Sequence, residues 1–129
     1  MKYISTRNKE KTVSVSKAII QGLADDGGLY IPQALDQKVD LVSTLKMSYL
    51  ELAHYILSLF LSDFSHEQIQ QCVQNAYQNS FENNEVAPLR KYNDGWLMEL
   101  WHGPTSAFKD VALTLLPHLL TTAYQNQNE

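Results

Sequence analysis

Two amphipathic segments separated by a few polar residues constrain the fold of this chain more than any other feature. Between residues 46 and 61, apolar residues recur at the i, i+3, i+4, i+7 spacing of one helix face. Ser65 and Gln68 then form a capping-box pattern, which predicts the start of a second helix. Because the connection is short, we expect the helices to pack as an antiparallel pair. The second apolar face consists of Ile69, Cys72, Val73, Ala76 and Tyr77.

The residues before this pair predict a short helix, a turn and a strand. Apolar residues recur at nearly helical spacing in residues 13–23, and either Ser14 or Ser16 is placed to cap that helix. Residues 25–28 are turn formers, and residues 29–31 are typical of a short extended segment. We therefore expect the chain to reverse direction here.

The residues after the pair predict a β-hairpin followed by a third long helix. In residues 88–100, Asp94-Gly95 separates two runs of strand formers and is expected to supply the positive φ of a tight turn. The helix is predicted to begin near Ala107 and to kink or end at Pro117. Residues 125–129 are polar and predict a tail. The expected apolar stripe of this helix is Phe108, Val111, Ala112, Leu115, Leu116 and Leu119.

These patterns predict an α+β fold, mostly helical, with a small antiparallel β-hairpin. A length of 129 residues fits one hydrophobic core. The polar stretch that ends at Glu85 is the best candidate boundary between residues 1–85 and residues 86–129.

Composition excludes several classes of function. A formal charge of -4, with only ten Lys and Arg residues, argues against binding to nucleic acid or to an anionic membrane. No apolar run approaches the roughly 20 residues of a membrane span. Cys72 is the only cysteine, which excludes an intrachain disulfide and predicts a reduced, cytoplasmic protein. The four histidines lack metal-ligand spacing, so we expect no metal site.

The segment 99–110 carries the candidate reactive group. A predicted strand stops, a turn follows at residues 103–106, and Lys109 falls in the first turn of the predicted helix between apolar Phe108 and Val111. A helix N-terminus disfavours a cation by roughly 0.3–1 kcal/mol, because its free N–H groups carry a partial positive charge. A lysine nucleophile reacts as the neutral amine, so this position permits a reactive lysine. A solvated surface lysine fits the same pattern.

For four polar residues near Lys109, a structural role is a simpler interpretation than a role in a site. Thr105 and Ser106 are N-cap candidates for the third helix. Asp110 suits the helix dipole and offsets Lys109. His102 is most simply a satisfied histidine, with a place in the wall of a pocket as the alternative.

Three motifs occur in the order in which they are found in threonine synthases. Residues 99–112, Glu-Leu-Trp-His-Gly-Pro-Thr-Ser-Ala-Phe-Lys-Asp-Val-Ala, resemble the motif that contains the pyridoxal-phosphate (PLP) lysine of that family. Residues 3–7 and 22–32 resemble two further motifs of the family, and the three matches together span the chain. Within or beside them, Asn8, Asp25 and Ser106 stand where the family usually has glycine, proline and leucine.

The resemblance implies a PLP-dependent phospho-lyase that converts O-phospho-L-homoserine and water to L-threonine and phosphate. Lys109 is then the expected catalytic and cofactor-binding residue, with Phe108 as a second cofactor-binding residue. Residues 1–85 correspond to an N-terminal helical domain, and residues 86–129 to the start of the PLP-dependent catalytic domain with its first helix. The family's glycine- and asparagine-rich cofactor loops have no counterpart here. We therefore expect a truncated domain that is inactive alone.

A non-catalytic helical module that binds a protein partner is the alternative hypothesis. In that case the apolar face of the third helix stays uncovered, and Phe108, Leu115 and Leu119 are candidates to drive self-association. The two hypotheses differ in whether PLP labels Lys109 selectively after reduction with borohydride.

Overall fold

A computed structural model describes residues 1–128 and confirms the α+β fold with its small antiparallel hairpin. Helices account for most of the regular structure, and the strands fall into a three-stranded and a two-stranded sheet. In chain order the elements are β1 (Tyr3–Ser5), β2 (Thr12–Val13), α1 (Val15–Gln21), β3 (Tyr30–Pro32), α2 (Leu41–Thr44), α3 (Tyr49–Phe60), α4 (His66–Tyr77), β4 (Leu89–Tyr92), β5 (Gly95–Met98), α5 (Asp110–Leu113) and α6 (Leu116–Asn128).

The helix pair predicted from the sequence is α3 and α4, and its antiparallel packing is confirmed. The predicted capping box is present, since Ser65 and Gln68 exchange hydrogen bonds at the start of α4. The ring of Tyr49 lies 5.2 Å from that of Tyr77, and the ring of His54 lies 5.7 Å from that of His66. The start of α3 therefore lies beside the end of α4, and the start of α4 lies beside the middle of α3.

The core is built around the apolar face of α4. All five residues predicted for this face are buried, and they pack with α1 and α6. Ala123 of α6 and Val86 are both 0% exposed. Val86 holds a φ of 60°, which a β-branched residue adopts only where its surroundings fix it. The predicted boundary after Glu85 therefore adjoins a residue that is anchored in the core.

The three-stranded sheet has the order β2-β1-β3, and the sequence predicted only its third strand. Tyr3 pairs with Val13 on one side and with Pro32 on the other, both in antiparallel ladders. Strands of two or three residues are too short to show an alternating pattern of apolar and polar residues. This is why β1 and β2 gave no sequence signal.

The two N-terminal motifs, residues 3–7 and 22–32, pack against each other through side-chain hydrogen bonds. Ser5 Oγ donates to Asp26 Oδ1 over 2.7 Å, and Arg7 Nη1 donates to the Asp26 carbonyl over 3.0 Å. Thr6 Oγ1 accepts from the backbone N–H of Leu29 over 3.0 Å. The Ser5 hydroxyl and the backbone N–H of Gly28 hold the pKa of the Asp26 carboxyl below its usual value. These motifs therefore form one structural unit.

The hairpin of β4 and β5 is confirmed, but its turn differs from the prediction. Tyr92 pairs with Gly95, so the loop consists of Asn93 and Asp94. The positive φ lies at Asn93, with a value of 50°, and not at Gly95. Asparagine tolerates the left-handed region better than most residues.

The third helix is interrupted before Pro117, and its ends and its buried face differ from the prediction. It begins at Asp110, stops at Leu113, and resumes as α6 with Pro117 in the first turn, where the missing N–H is tolerated. Leu115 is buried and Leu119 packs partly against the core. Phe108, Ala112 and Leu116 are exposed, so the predicted stripe is too wide.

The prediction of a polar tail was wrong for residues 125–128, which form the end of α6. Asn126 donates to the Asp63 carbonyl over 2.9 Å and accepts from Gln68 over 2.8 Å. These bonds come from residues more than fifty positions away, which a local reading of polarity cannot detect. Glu129, the last residue of the predicted tail, lies outside the described residues.

None of the helices within residues 1–128 is long and apolar enough to cross a membrane. In the same residues, His, Cys, Asp and Glu side chains form no group of three able to hold a metal ion.

We predict that Gly28→Ala destabilises the protein by about 1–3 kcal/mol, because an added Cβ overlaps Ser5 Oγ inside the unit formed by the two N-terminal motifs. Gly95→Ala is the control, since its added Cβ has only the Tyr92 carbonyl within contact range, at 3.8 Å. Urea unfolding measures both free energies. Equal midpoints for the two variants would show that Gly28 is not required in this packing.

Candidate functional site

The segment between β5 and α5 folds into a tight turn that ends at Lys109. Ser106 donates its backbone N–H to the Gly103 carbonyl over 3.1 Å, and Asp110 donates to the Ala107 carbonyl over 3.0 Å. Ser106 has a φ of 55°, in the left-handed region. Two successive backbone turns thus set the position of Lys109.

The buried carboxylate of Asp110 holds this turn together through hydrogen bonds. Its carboxylate accepts the Thr105 backbone N–H over 2.7 Å and the Thr105 hydroxyl over 2.6 Å, and the residue is only 3% exposed. The bonds from Thr105 hold the pKa of the Asp110 carboxyl below its usual value. A buried carboxylate requires such donors, because desolvation otherwise disfavours its charge.

Gly103 lies against Asp110 at the other end of the turn. A Cβ added to Gly103 would lie 2.5 Å from Asp110 Cβ and 2.7 Å from Asp110 Oδ2, which is closer than real side chains approach. Only glycine fits without moving the carboxylate that holds Thr105.

The proposed capping roles of Thr105 and Ser106 were wrong. The N-cap residue of α5 is Lys109, which has helical dihedral angles and no side-chain capping bond. Thr105 instead donates to Asp110, so this carboxylate is engaged by Thr105 rather than by Lys109. The local sequence did not reveal this arrangement because the carboxylate lies five residues beyond its hydrogen-bond donor.

Lys109 directly precedes α5 and is exposed. Its carbonyl accepts the backbone N–H groups of Ala112 and Leu113, so its backbone is fixed although its side chain is accessible. Since α5 has only four residues, the helix-dipole argument made from a long predicted helix loses most of its weight. Phe108 is 65% exposed. The residues described here therefore do not enclose the Lys109 amine.

Tyr77 at the end of α4 anchors the residues that follow Lys109. Its hydroxyl donates to the Val111 carbonyl over 2.8 Å, and the residue is 5% exposed. Burial, with a further contribution from the neighbouring Tyr49, raises the pKa of the Tyr77 phenol. The sequence placed Tyr77 on an apolar stripe and gave it no further role. The available signal was that a buried tyrosine hydroxyl needs a hydrogen-bond partner.

His102 anchors the residues that precede the turn. Its Nδ1 lies 2.8 Å from Glu82 Oε2 and its Nε2 lies 2.7 Å from Glu99 Oε2. An ionised carboxylate can only accept, so both ring nitrogens donate and the imidazolium is the favoured form. The carboxylates of Glu82 and then Glu99 raise the pKa of His102.

The structure thus brings together Lys109, Thr105 and Asp110, with His102 and Tyr77 as anchors on either side. A chemically useful feature of this arrangement is one accessible primary amine on a fixed backbone, which suits covalent capture of an aldehyde. A cavity of about 800 Å³ lies between α3 and α4 and is lined by no residue of the Lys109 turn.

Comparison with known proteins identifies relatives of the chain. A sequence model described as the threonine synthase N terminus matches residues 2–77. Threonine synthase from Pseudomonas aeruginosa is 36% identical over 133 residues, which cover 100% of this chain and 28% of the relative. Threonine synthase from Saccharomyces cerevisiae is 38% identical over 138 residues, which cover 98% of this chain and 26% of the relative.

The fold is also similar to a solved structure. The crystal structure of PLP-bound threonine synthase from Brucella melitensis superposes with a TM-score of 0.91 at 35% identity, covering 100% of this chain and 28% of that chain. The chain therefore spans little more than a quarter of the length of these relatives.

We predict that His102 stabilises the fold in a pH-dependent way. Its pKa is raised in the folded state, so the contribution is fully present below the unfolded value of about 6.5 and is lost as pH rises through the folded value. The free energy of unfolding of the native protein should therefore exceed that of His102→Gln most at mildly acidic pH. His118→Gln is the control, because His118 has no carboxylate partner within residues 1–128. A difference that does not change across neutral pH would contradict the proposed imidazolium.

Proposed function

The chain belongs to the threonine synthase family, and from this premise we propose that it forms the N-terminal part of a PLP-dependent phospho-lyase. The proposed reaction converts O-phospho-L-homoserine and water to L-threonine and phosphate. The family match over residues 2–77 and the likeness to a PLP-bound relative support the assignment. The relatives are much longer than this chain, so the activity is proposed for the complete polypeptide.

The observation that carries this proposal is the placement of Lys109. The amine is accessible, while the backbone on both sides is held by Asp110, Thr105 and the anchor from Tyr77. Exposure alone is common for a lysine, but this one lies at the end of a turn built on a buried carboxylate. Fixing the backbone of a nucleophile while leaving its side chain free is what covalent catalysis requires.

In the proposed mechanism Lys109 would hold the cofactor covalently, and Phe108 would be a second cofactor-binding residue. When bound, PLP supplies an electron sink. The Lys109 amine would take protons from the α and β carbons of the substrate. Phosphate leaves the γ carbon, which gains a proton to become the methyl group of threonine, while water adds its hydroxyl to the β carbon and a proton returns to the α carbon. Thr105 and Asp110 keep the Lys109 backbone in place throughout.

We further propose that residues 1–85 form the N-terminal helical domain and that residues 86–129 begin the catalytic domain. The two parts share one core, since α6 packs against both α1 and α4. The Tyr77 and Glu82 bonds to Val111 and His102 also cross the proposed boundary. In this arrangement residues of the first domain hold the segments on both sides of the Lys109 turn through hydrogen bonds.

A protein-binding module is the alternative function, and one observation favours it. Apolar side chains on the hairpin and around α5 are exposed, including Trp96, Met98, Phe108 and Leu113. Of the three residues considered for self-association, Leu115 is buried and Leu119 partly so, which leaves only Phe108 exposed. PLP labelling followed by borohydride reduction distinguishes this alternative from the enzyme.

We predict that Lys109→Ala in the complete polypeptide abolishes covalent PLP attachment and lowers kcat by roughly 10²–10⁴-fold. The reason is the loss of the amine that holds the cofactor and moves the protons. Protein is mixed with PLP, reduced with borohydride and mapped by mass spectrometry. Lys91→Ala, an exposed lysine on β4, is the control and should leave both readouts unchanged. Labelling that persists in Lys109→Ala would overturn the assignment.

We also predict that the 129-residue chain alone forms no threonine from O-phospho-L-homoserine in the presence of PLP. Lys109 and Phe108 are exposed, and the described residues do not exclude water from the amine. The assay is threonine formation, with the complete polypeptide as positive control. Turnover by the short chain would mean that these residues suffice for a working site.

A further inference from the structure

The end of α4 meets the Lys109 turn through one buried hydrogen bond. Tyr77 donates its hydroxyl to the Val111 carbonyl over 2.8 Å, thirty-four residues further along the chain. Val111 follows Lys109 by two residues and lies within α5, whose first turn is fixed by N–H groups that bond to the Lys109 carbonyl. The position of α5 relative to α4 thus depends directly on this hydroxyl.

We propose that Tyr77 is a positioning residue for Lys109, an inference that rests on the proposed function. The Val111 carbonyl is an acceptor in a four-residue helix, which has little stability of its own. A single hydrogen bond from a buried, rigid partner therefore affects the position of this short helix more than it would affect the position of a long helix. Tyr77 itself is held by an edge-to-face contact with Tyr49 and by the ring of Phe81, so its hydroxyl has a defined location.

The two other anchors of the turn use different bonds, which makes the role of Tyr77 separable. His102 acts before the turn through Glu82 and Glu99, and Asp110 acts inside it through Thr105. Tyr77 alone among these connects α4 to the backbone that follows Lys109. Loss of its hydroxyl should shift α5, and with it the Lys109 amine, without opening the turn itself.

The test is Tyr77→Phe in the complete polypeptide, with Tyr30→Phe as a matched control. The Tyr30 hydroxyl also makes one bond of 2.8 Å, to Gln21 Oε1, but in the N-terminal part of the fold. Both variants lose one hydroxyl and keep the ring, so a comparable drop in thermal stability is expected of both. Displacement of a reacting group by about 1 Å can slow a reaction by up to a hundredfold.

For Tyr77→Phe we expect PLP attachment at Lys109, followed by borohydride trapping, to slow by on the order of tenfold, with kcat reduced similarly and KM nearly unchanged. Tyr30→Phe should have the same rate of PLP attachment, the same kcat and the same KM as the native protein. In the cofactor-free protein, the Leu113 amide, which donates to the Lys109 carbonyl, should exchange hydrogen faster in Tyr77→Phe only.

Two outcomes would overturn the inference. One is that Tyr77→Phe attaches PLP as fast as Tyr30→Phe, and the other is that Leu113 exchange is equal in both variants. The proposed function fails separately, by retention of PLP attachment in Lys109→Ala. A native attachment rate in Tyr77→Phe together with its loss in Lys109→Ala would reject only the role of Tyr77.

Discussion

Burial of one face of α4 is the interaction on which the rest of the structure depends. Ile69, Val73 and Ala76 are each at most 2% exposed, and the helices on either side of them come from opposite ends of the chain. Burying side chains the size of Ile69 and Val73 to this extent stabilises a fold by about 1.5–3 kcal/mol each. Because α6 packs against both α1 and α4, the N-terminal helix and the segment after Lys109 belong to one core.

The sequence predicted those parts of the fold that are encoded locally. The capping box at Ser65 and the periodicity of α4 depend on neighbours within a few residues, and both were confirmed. The helix that was predicted to kink or end at Pro117 instead breaks after Leu113, and α6 runs through Pro117. The sheet formed by β1, β2 and β3 depends on pairing between distant short strands, and a single sequence carries no record of such pairing. The same reason explains why residues 125–128 were mistaken for a tail, since their partners Asp63 and Gln68 lie on another element.

In the candidate site, too, the residues that a local motif contains were predicted and the residues from distant segments were not. Lys109 was predicted because its motif is contiguous, whereas Tyr77 and Glu82 lie well before it in the chain and carry no motif. Asp110 was predicted in the first turn of a helix and lies there, but only the folded turn places its carboxylate against Thr105 and Gly103. A local sequence pattern can single out a candidate residue such as Lys109, whereas the groups that hold its backbone are identified by tertiary contacts.

The position of Ala123 has a consequence for the order in which this chain folds. This residue is 0% exposed, and its helix covers α1, which was synthesised about a hundred residues earlier. Until α6 has been synthesised, the apolar side of α1 lacks its contacts with that helix. Contacts between segments far apart in sequence form slowly, so the core is completed late. The core around α1 and α4 is therefore completed only when α6, the helix that follows the Lys109 turn, has been synthesised.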